Sequence, residues 1–400
     1  GTVKYLNQLV GQHDNYKLIK NSENRGFAEG NNQGVAAASG KYIMLLNNDV
    51  VVSKGWLDSL VKSLNRDEHI GAVGPITNSI SGRQALKEVP YKDNAGFFKF
   101  AESISRQNAN RLTPRRRLAG FAVLLEKSLY DEVGGFDTTF GVGNFEDDDL
   151  SLRIREKGYA LMVDESVLLH HYGSQTFKAN KIEYAENLKE RLKLFHQKWP
   201  SVDYEELIEL RNGLHEYHPY LIKRGTALLA EGDFAQAETM FLSVHKDNPL
   251  DTEALFGLAL STQNLGQNET ALAYLQRLIK LNPNDAAAYN QSGIIVAGTG
   301  DLKNSQILIK KAIELDPLLV DAQRNFAEIL LMQEDYTNGV KTYLTILEHH
   351  PDDIQSLLRM AQLHAEAGNV TEVLSWSERV LAIEPENSEA MEMKQAATVS

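Results

Sequence analysis

Residues 42–52 read YIMLLNNDVVV: an apolar run stops on Asn47, Asn48 and Asp49 and then resumes. The first five residues are too few for a helix and show no polar face, so they read as a strand buried on both faces of a parallel sheet. In open α/β sheets ligands collect beyond the carboxyl ends of the strands, which puts Asp49 where a metal or a polar ligand would be met. Turn chemistry between two strands accounts for Asn-Asn-Asp equally well. This stretch alone leaves both readings open.

Upstream, residues 3–10 carry apolar side chains at helical spacing, and 16–19 form a short strand candidate. Residues 21–34, NSENRGFAEGNNQG, hold three glycines and four asparagines. They suit a loop that brings backbone close to something, ahead of a small-residue helix at 35–39, although an ordinary Gly/Asn-rich turn explains them too.

Downstream, Leu57, Leu60, Val61 and Leu64 give 56–65 one apolar face, hence an amphipathic helix, and 70–76 is a strand. Residues 78–114 lack periodicity and read as a long weakly structured stretch of the kind that carries function or moves. Arg115, Arg116 and Arg117 end it, either as a clamp for a diphosphate or, more simply, as a solvated charge run. A strand at 118–125, a short helix at 127–133 and a turn at Gly134-Gly135-Phe136-Asp137 follow.

A second acidic cluster is denser. Residues 141–150 read GVGNFEDDDL and lead into a helix over 150–157. Capping and the helix dipole account for one or two carboxylates at such a start, not for four. Four adjacent carboxylates repel one another and raise their own pKa values unless a cation or a base-like role stabilises them, and general base is a natural role for one. Short strands at 159–163 and 167–169 end on His170-His171. A carboxylate at one strand end and an imidazole at another make a credible divalent-metal pair, one that accepts Mg2+ and suits Mn2+ somewhat better.

The length of 400 residues suggests two or three domains. A net charge of −13 argues against nucleic-acid binding, which rests on neutralising phosphates. With no cysteine there is no disulfide framework, and no run of 18 apolar residues or signal pattern is present, so the chain reads as cytoplasmic. Peripheral contact with the inner face of a membrane is compatible with this. The chain opens on Gly1, already inside a helical pattern and without Met, which suggests a fragment whose front is missing.

The second half repeats. Prolines 249, 283, 317, 351 and 385 recur every 34 residues, and Gly232, Gly266, Gly300 and Gly368 keep the same period, with Glu334 in the remaining place. Gly225, Ala259, Gly293, Ala327 and Ala361 fall in phase and allow close helix contact. This pattern is identified as tetratricopeptide (TPR) repeats: an α-solenoid of five helix pairs over 218–400 with a terminal helix, whose concave face binds a protein or peptide. Helical patterns at 184–199 and 204–216 bridge the halves, with a connector over 201–217.

The first half, residues 1–200, resembles the family 2 GT-A glycosyltransferases, in particular their rhamnosyltransferase-like branch. The resemblance rests on Asn24-Arg25-Gly26-Phe27-Ala28 through Asn32 and Gly34, on Leu45 to Asp49, and on Gly134 to Asp137 followed by Phe145 to Leu150, Arg153, Gly158 and His170. It implies an α/β domain with a mostly parallel sheet and flanking helices. It also implies a first strand and an Asp-containing loop ahead of residues 3–10, which would make this chain N-terminally truncated and weakened or inactive as it stands.

By the same resemblance the donor is a nucleotide-diphosphate sugar, UDP- or dTDP-linked, and the acceptor a hydroxyl on a glycan, lipopolysaccharide or protein. Asn24, Gly26, Asn32, Asn47, Asp49 and Gly120 would line the donor site, with Asp49 and His170 on Mg2+ or Mn2+. Asn47 stands where the family often has Asp. Asp147 would be the catalytic base of an inverting hexosyltransferase, with Glu146 the other choice. The rival expectation is a non-catalytic TPR scaffold carrying a degenerate transferase domain.

Overall fold

The computed structural model describes residues 1–141, 143–173, 184–209 and 214–399. The chain packs as two units, Gly1–Gly225 with Thr239–Asp251, and Thr226–Glu238 with Thr252–Ser400. The 34-residue period and the packing therefore divide the first repeat differently, since Thr239–Asp251 sits in the first unit.

The first unit runs α1 (Thr2–Gln12), α2 (Gly26–Ala37), β1 (Tyr42–Leu46), β2 (Val50–Val51), α3 (Trp56–Leu64), β3 (Ile70–Thr77), α4 (Asn94–Gln107), β4 (Leu112–Arg115), β5 (Ala122–Glu126), α5 (Lys127–Glu132), α6 (Glu146–Glu156), β6 (Ala160–His171), α7 (Tyr184–Lys198) and α8 (Tyr204–Leu207). Strand order is β1-β5-β3-β6-β2, with β4 also on β6. The sheet is mixed, and the expected mostly parallel pairing is corrected: only β3 and β6 run parallel, Val73 opposite Met162, while β1/β5, β3/β5, β4/β6 and β2/β6 are antiparallel.

Both faces of the sheet carry a core. Ile43 and Leu45 join Ala28, Val35, Phe97, Leu125, Leu150 and Ile154 on one face. Tyr42 and Met44 pack on the other against the cluster of Leu60, Leu64, Leu124 and Met162. This is why the run at 42–46 is apolar throughout. Direction cannot be read from such a run, and β1 lies at the end of the strand order, paired only with β5 among the described residues.

Several local expectations are revised. Residues 16–19 are not a strand; Tyr16 and Ile19 are exposed and make no ladder. The expected Gly/Asn loop at 21–34 is mostly helix α2, with Ala28 and Val35 two turns apart on its buried face. A Cβ on Gly30 or Gly34 would meet nothing, so these glycines do not mark a close backbone approach.

The stretch 78–114 holds α4, whose Phe97, Ala101 and Ile104 form a buried stripe and whose Asp93 caps it by accepting from the Gly96 amide at 2.7 Å. Residues 118–121 precede β5 instead of belonging to it, α6 starts at Glu146, and the two expected strands at 159–169 are the single strand β6. The helix expected over 204–216 ends at Leu207, and residues 210–213 lie outside the described residues.

The second unit is helical throughout, with antiparallel-type helix pairs such as Thr252–Asn264 with Asn268–Leu281 and Ala286–Gly298 with Leu302–Leu315. Buried Ala259, Ala271, Leu275 and Ala288, then Ala327, Tyr343, Leu357 and Met360, fill the spaces between successive helices. Gly266, Gly300 and Gly368 take φ of 80°, 88° and 70° at the turns, and Glu334 takes φ 64° in the same place. The terminal helix is Ser388–Val399. Among the described residues no helix is long and apolar enough to cross a membrane.

Candidate active site

The four carboxylates that open α6 go to four different environments. Asp149 is fully buried and takes hydrogen bonds from Trp199 Nε1 at 2.9 Å and Arg153 Nε at 2.9 Å, with Lys198 Nζ 2.7 Å away. Asp148 is buried against Arg117, 2.6 Å from its Nη1. Burial pushes the Asp148 carboxyl up to about 6 in spite of that guanidinium, which leaves it ionised at neutral pH. Burial opposes the charge on Arg117, yet Asp148 and Asp147 hold its pKa above the ordinary value.

Glu146 is buried, and its Oε2 finds no hydrogen-bond partner among the described residues. Burial, then the Asp147 charge, push it up to about 8, so at neutral pH it holds its proton. Asp147 alone of the four is only half-buried, and it borders a small core cavity of about 10 Å³ together with Gly120, Phe136 and Leu150. Its Oδ2 accepts from the Gly120 amide at 2.8 Å and its Oδ1 from the Asp148 amide at 3.0 Å. Two backbone donors fix one rotamer, and each oxygen keeps lone-pair capacity for a further proton donor. A Cβ on Gly120 would press on the Asp147 Cβ at 3.1 Å, so the glycine makes room for the carboxylate.

Arg115, Arg116 and Arg117 are neither a diphosphate clamp nor a solvated run. Their side chains are 11%, 12% and 8% exposed and pair with Glu165, Glu206 and Asp148. The residues behind α6 form a third core: Phe140, Phe145, Leu152, Phe195 and Leu207. Sequence reasoning missed Lys198 and Trp199 as partners of the acidic cluster. The signal was the surplus of carboxylates over what capping uses, which calls for donors from elsewhere in the chain.

At the β1 end, the imidazole beside Asp49 is that of His171, with Nε2 3.2 Å from Oδ1, and the Asn47 amide nitrogen is 3.5 Å from the same Nε2. The expected Asp49–His170 pair is not brought together, because neighbouring residues of a strand point to opposite faces. His170 lies beside Tyr91, whose hydroxyl is 2.9 Å from Nδ1, and burial, then His171, lower its pKa. His171 Nδ1 is 3.0 Å from the Ser79 carbonyl, which can only accept, so Nδ1 carries a proton and Nε2 turns toward Asp49.

The other expected donor residues have local duties. Asn24 Oδ1 accepts from the Gly26 amide at 3.0 Å, and Gly26 takes φ 83° at the start of α2. Asn32 is fully engaged: its Oδ1 accepts from Tyr130 and the Phe136 amide, and its Nδ2 donates to the Phe136 carbonyl, which pins the Gly134 to Asp137 turn to α2.

Asp49 with its imidazole and the oriented Asp147 thus belong to a mixed sheet with a core on both faces. Residues 1–133 match the model described as glycosyl transferase family 2, and residues 228–291 match one described as tetratricopeptide repeat. The chain thus carries a family 2 glycosyltransferase domain followed by TPR repeats.

Over 165 residues it is 34% identical to an uncharacterized protein of Mycobacterium tuberculosis, which covers 38% of this chain and 56% of that protein. It is 32% identical over 164 residues to the O-antigen biosynthesis protein RfbC of Myxococcus xanthus, 39% of this chain and 13% of that protein. It is 24% identical over 192 residues to the N-acetylglucosaminyl-diphospho-decaprenol L-rhamnosyltransferase of M. tuberculosis, 42% and 62%. The chain therefore spans about half the length of the first of these relatives. Among solved structures, a thermophilic TPR protein of Thermus thermophilus is 21% identical, with TM-score 0.41, covering 46% of this chain and 100% of that one.

Proposed function

We propose that the first unit transfers a sugar from a nucleotide-diphosphate donor to a hydroxyl acceptor with inversion, and that the TPR half recruits the acceptor or a protein partner. The observation that carries this reading is the sorting of the four carboxylates. Asp148 and Asp149 are paired with cations and Glu146 is protonated, which leaves Asp147 as the one oriented, half-buried carboxylate. The acceptor O–H gives its proton to Asp147, its oxygen bonds the anomeric carbon, and the bond to the diphosphate breaks with the nucleoside diphosphate leaving.

Asp49 and His171, with the Asn47 amide nearby, fit a divalent ion that takes its remaining ligands from the donor and water. Among the described residues no group of three His, Cys, Asp or Glu could hold a metal ion, so Asp49 and His171 are the residues that would hold it. When bound, Mg2+ or Mn2+ would neutralise charge on the leaving diphosphate.

The test is incubation of the full-length protein with a panel of UDP- and dTDP-sugars, with and without Mg2+ or Mn2+, followed by release of the free nucleoside diphosphate. Metal-dependent release supports the reading. A protein that neither binds nor cleaves any of them is a scaffold.

A further inference from the structure

We infer that Gln84, in the loop after β3, is a positioning residue for Asp147; the inference rests on the reading of Asp147 as the base. Ahead of β5 the chain runs buried through Leu118, Ala119 and Gly120, outside any strand, so the amides there have to find partners on side chains. All three do. Leu118 N donates to Ser151 Oγ at 3.0 Å, Ala119 N to Gln84 Oε1 at 2.8 Å and Gly120 N to Asp147 Oδ2 at 2.8 Å.

Ser151 and Asp147 lie one turn apart on α6, so two of the three bonds belong to one helix face. Gln84 supplies the third from a separate segment, which is itself fixed. Its Nε2 donates to the Pro75 carbonyl at 3.0 Å, Thr77 N donates to the Gln84 carbonyl at 3.0 Å, and Leu86 N donates to the Thr77 carbonyl at 2.8 Å. Gln84 is buried, and a Cβ on Gly74 would come within 2.9 Å of its Nε2, so that glycine leaves the room the side chain needs. Arg117 ties the same two segments together a second time, donating to the Ser81 carbonyl at 2.8 Å and to the Ser81 hydroxyl at 2.7 Å.

The segment held in this way reaches both parts of the site. At one end Gly120 orients Asp147; at the other the Phe121 carbonyl accepts from Asn47 N at 2.9 Å, and the Phe121 ring stacks on His171 with centroids 5.3 Å apart. The Phe121 end is fastened independently by the β1/β5 ladder, in which Leu46 stands opposite Ala122. The Gly120 end depends on the two side-chain bonds behind it, to Ser151 and to Gln84. Loss of the Gln84 bond therefore displaces the base against an Asp49–His171 pair that stays in place, and such a displacement acts on the chemical step more than on binding of the donor.

The experiment compares wild type with Gln84→Met, which keeps the length of the side chain and removes both of its hydrogen bonds. Amide hydrogen exchange reads Ala119 and Gly120, with Met162 and Val163 of β6 as internal standards. The expected result is exchange faster by about tenfold or more at both loop amides with β6 unchanged, together with a kcat lowered about 10- to 100-fold and a donor KM within about twofold. Unchanged exchange at Gly120 overturns the inference, as does a kcat equal to that of wild type, or faster exchange that extends to β6, which marks a merely structural role. In wild type one opening should release both amides, so Ala119 and Gly120 should be protected alike; exchange at Gly120 about tenfold faster than at Ala119 overturns the inference even if Gln84→Met does not fold. If the wild type transfers no sugar, the transferase reading fails, and the exchange comparison still decides whether Gln84 holds the loop that orients Asp147.

Discussion

The two units handle charge in opposite ways. In the first, carboxylates are buried and compensated from far along the chain: Asp148 by Arg117, and Asp149 by Lys198 and Trp199. In the repeats, acids mostly serve their own helix. Asp285, Asp301, Asp335 and Asp353 each accept from a backbone amide three residues on, at the start of the next helix. One strategy places a charge where chemistry needs it and makes the fold depend on distant partners. The other caps each helix locally, with longer pairs such as Arg324–Asp353 and Arg359–Glu328 added between helices.

Removal of a partner in the first unit should therefore cost far more than any comparable change in the repeats. Arg117→Met leaves Asp148 buried without its cation and is expected to lower the stability of the first unit by about 3–5 kcal/mol in denaturant unfolding. A loss below about 1 kcal/mol would mean that the pair is not buried as described.

Glu146→Gln sharpens the same contrast through pH. Glu146 has an ordinary value of 4.5 and is pushed up to about 8 in the fold, so the folded state holds its proton more tightly than the unfolded chain. Its contribution is present below about 4.5 and is lost as pH rises through about 8. The variant should gain relative to wild type between about pH 5 and 8.5, by on the order of 2 kcal/mol at the upper end. A difference that stays constant with pH would contradict the buried, partnerless carboxyl.

The smallest effect belongs to the repeats. Glu334 occupies a left-handed turn that glycine fills in the neighbouring repeats, so Glu334→Gly should stabilise the second unit by about 0.5–1 kcal/mol, read as a raised melting temperature. A lower melting temperature would show that the Glu334 side chain repays its strain.

The same division explains what was legible in sequence. The repeat half is written in a period of 34 because each repeat restates the same packing, and even the exception at Glu334 fell in register. In the first half, element type was legible where one face is apolar, as in α3, or where a short run is apolar throughout, as in β1. Strand direction was not, because β1 is apolar on both faces whichever way its partner runs.

The site was half legible. Asp147, Asp49 and the surplus of carboxylates stood out, since adjacent like charges are costly and call for a reason. Which imidazole meets Asp49 depended on strand parity, and the roles of Arg117 and Lys198 depended on contacts between segments far apart in the chain that leave no local pattern.

The central claim is that sorting of the four acids leaves Asp147 alone to take the acceptor proton. Its most direct measurement is single-turnover transfer by Asp147→Asn and Glu146→Gln beside wild type, with nucleotide-sugar binding followed by calorimetry. Asp147→Asn should lose about 10²- to 10⁴-fold in rate with donor binding kept, and Glu146→Gln should retain most of its rate at about pH 7. Unchanged turnover in Asp147→Asn, or a larger loss in Glu146→Gln, would contradict it.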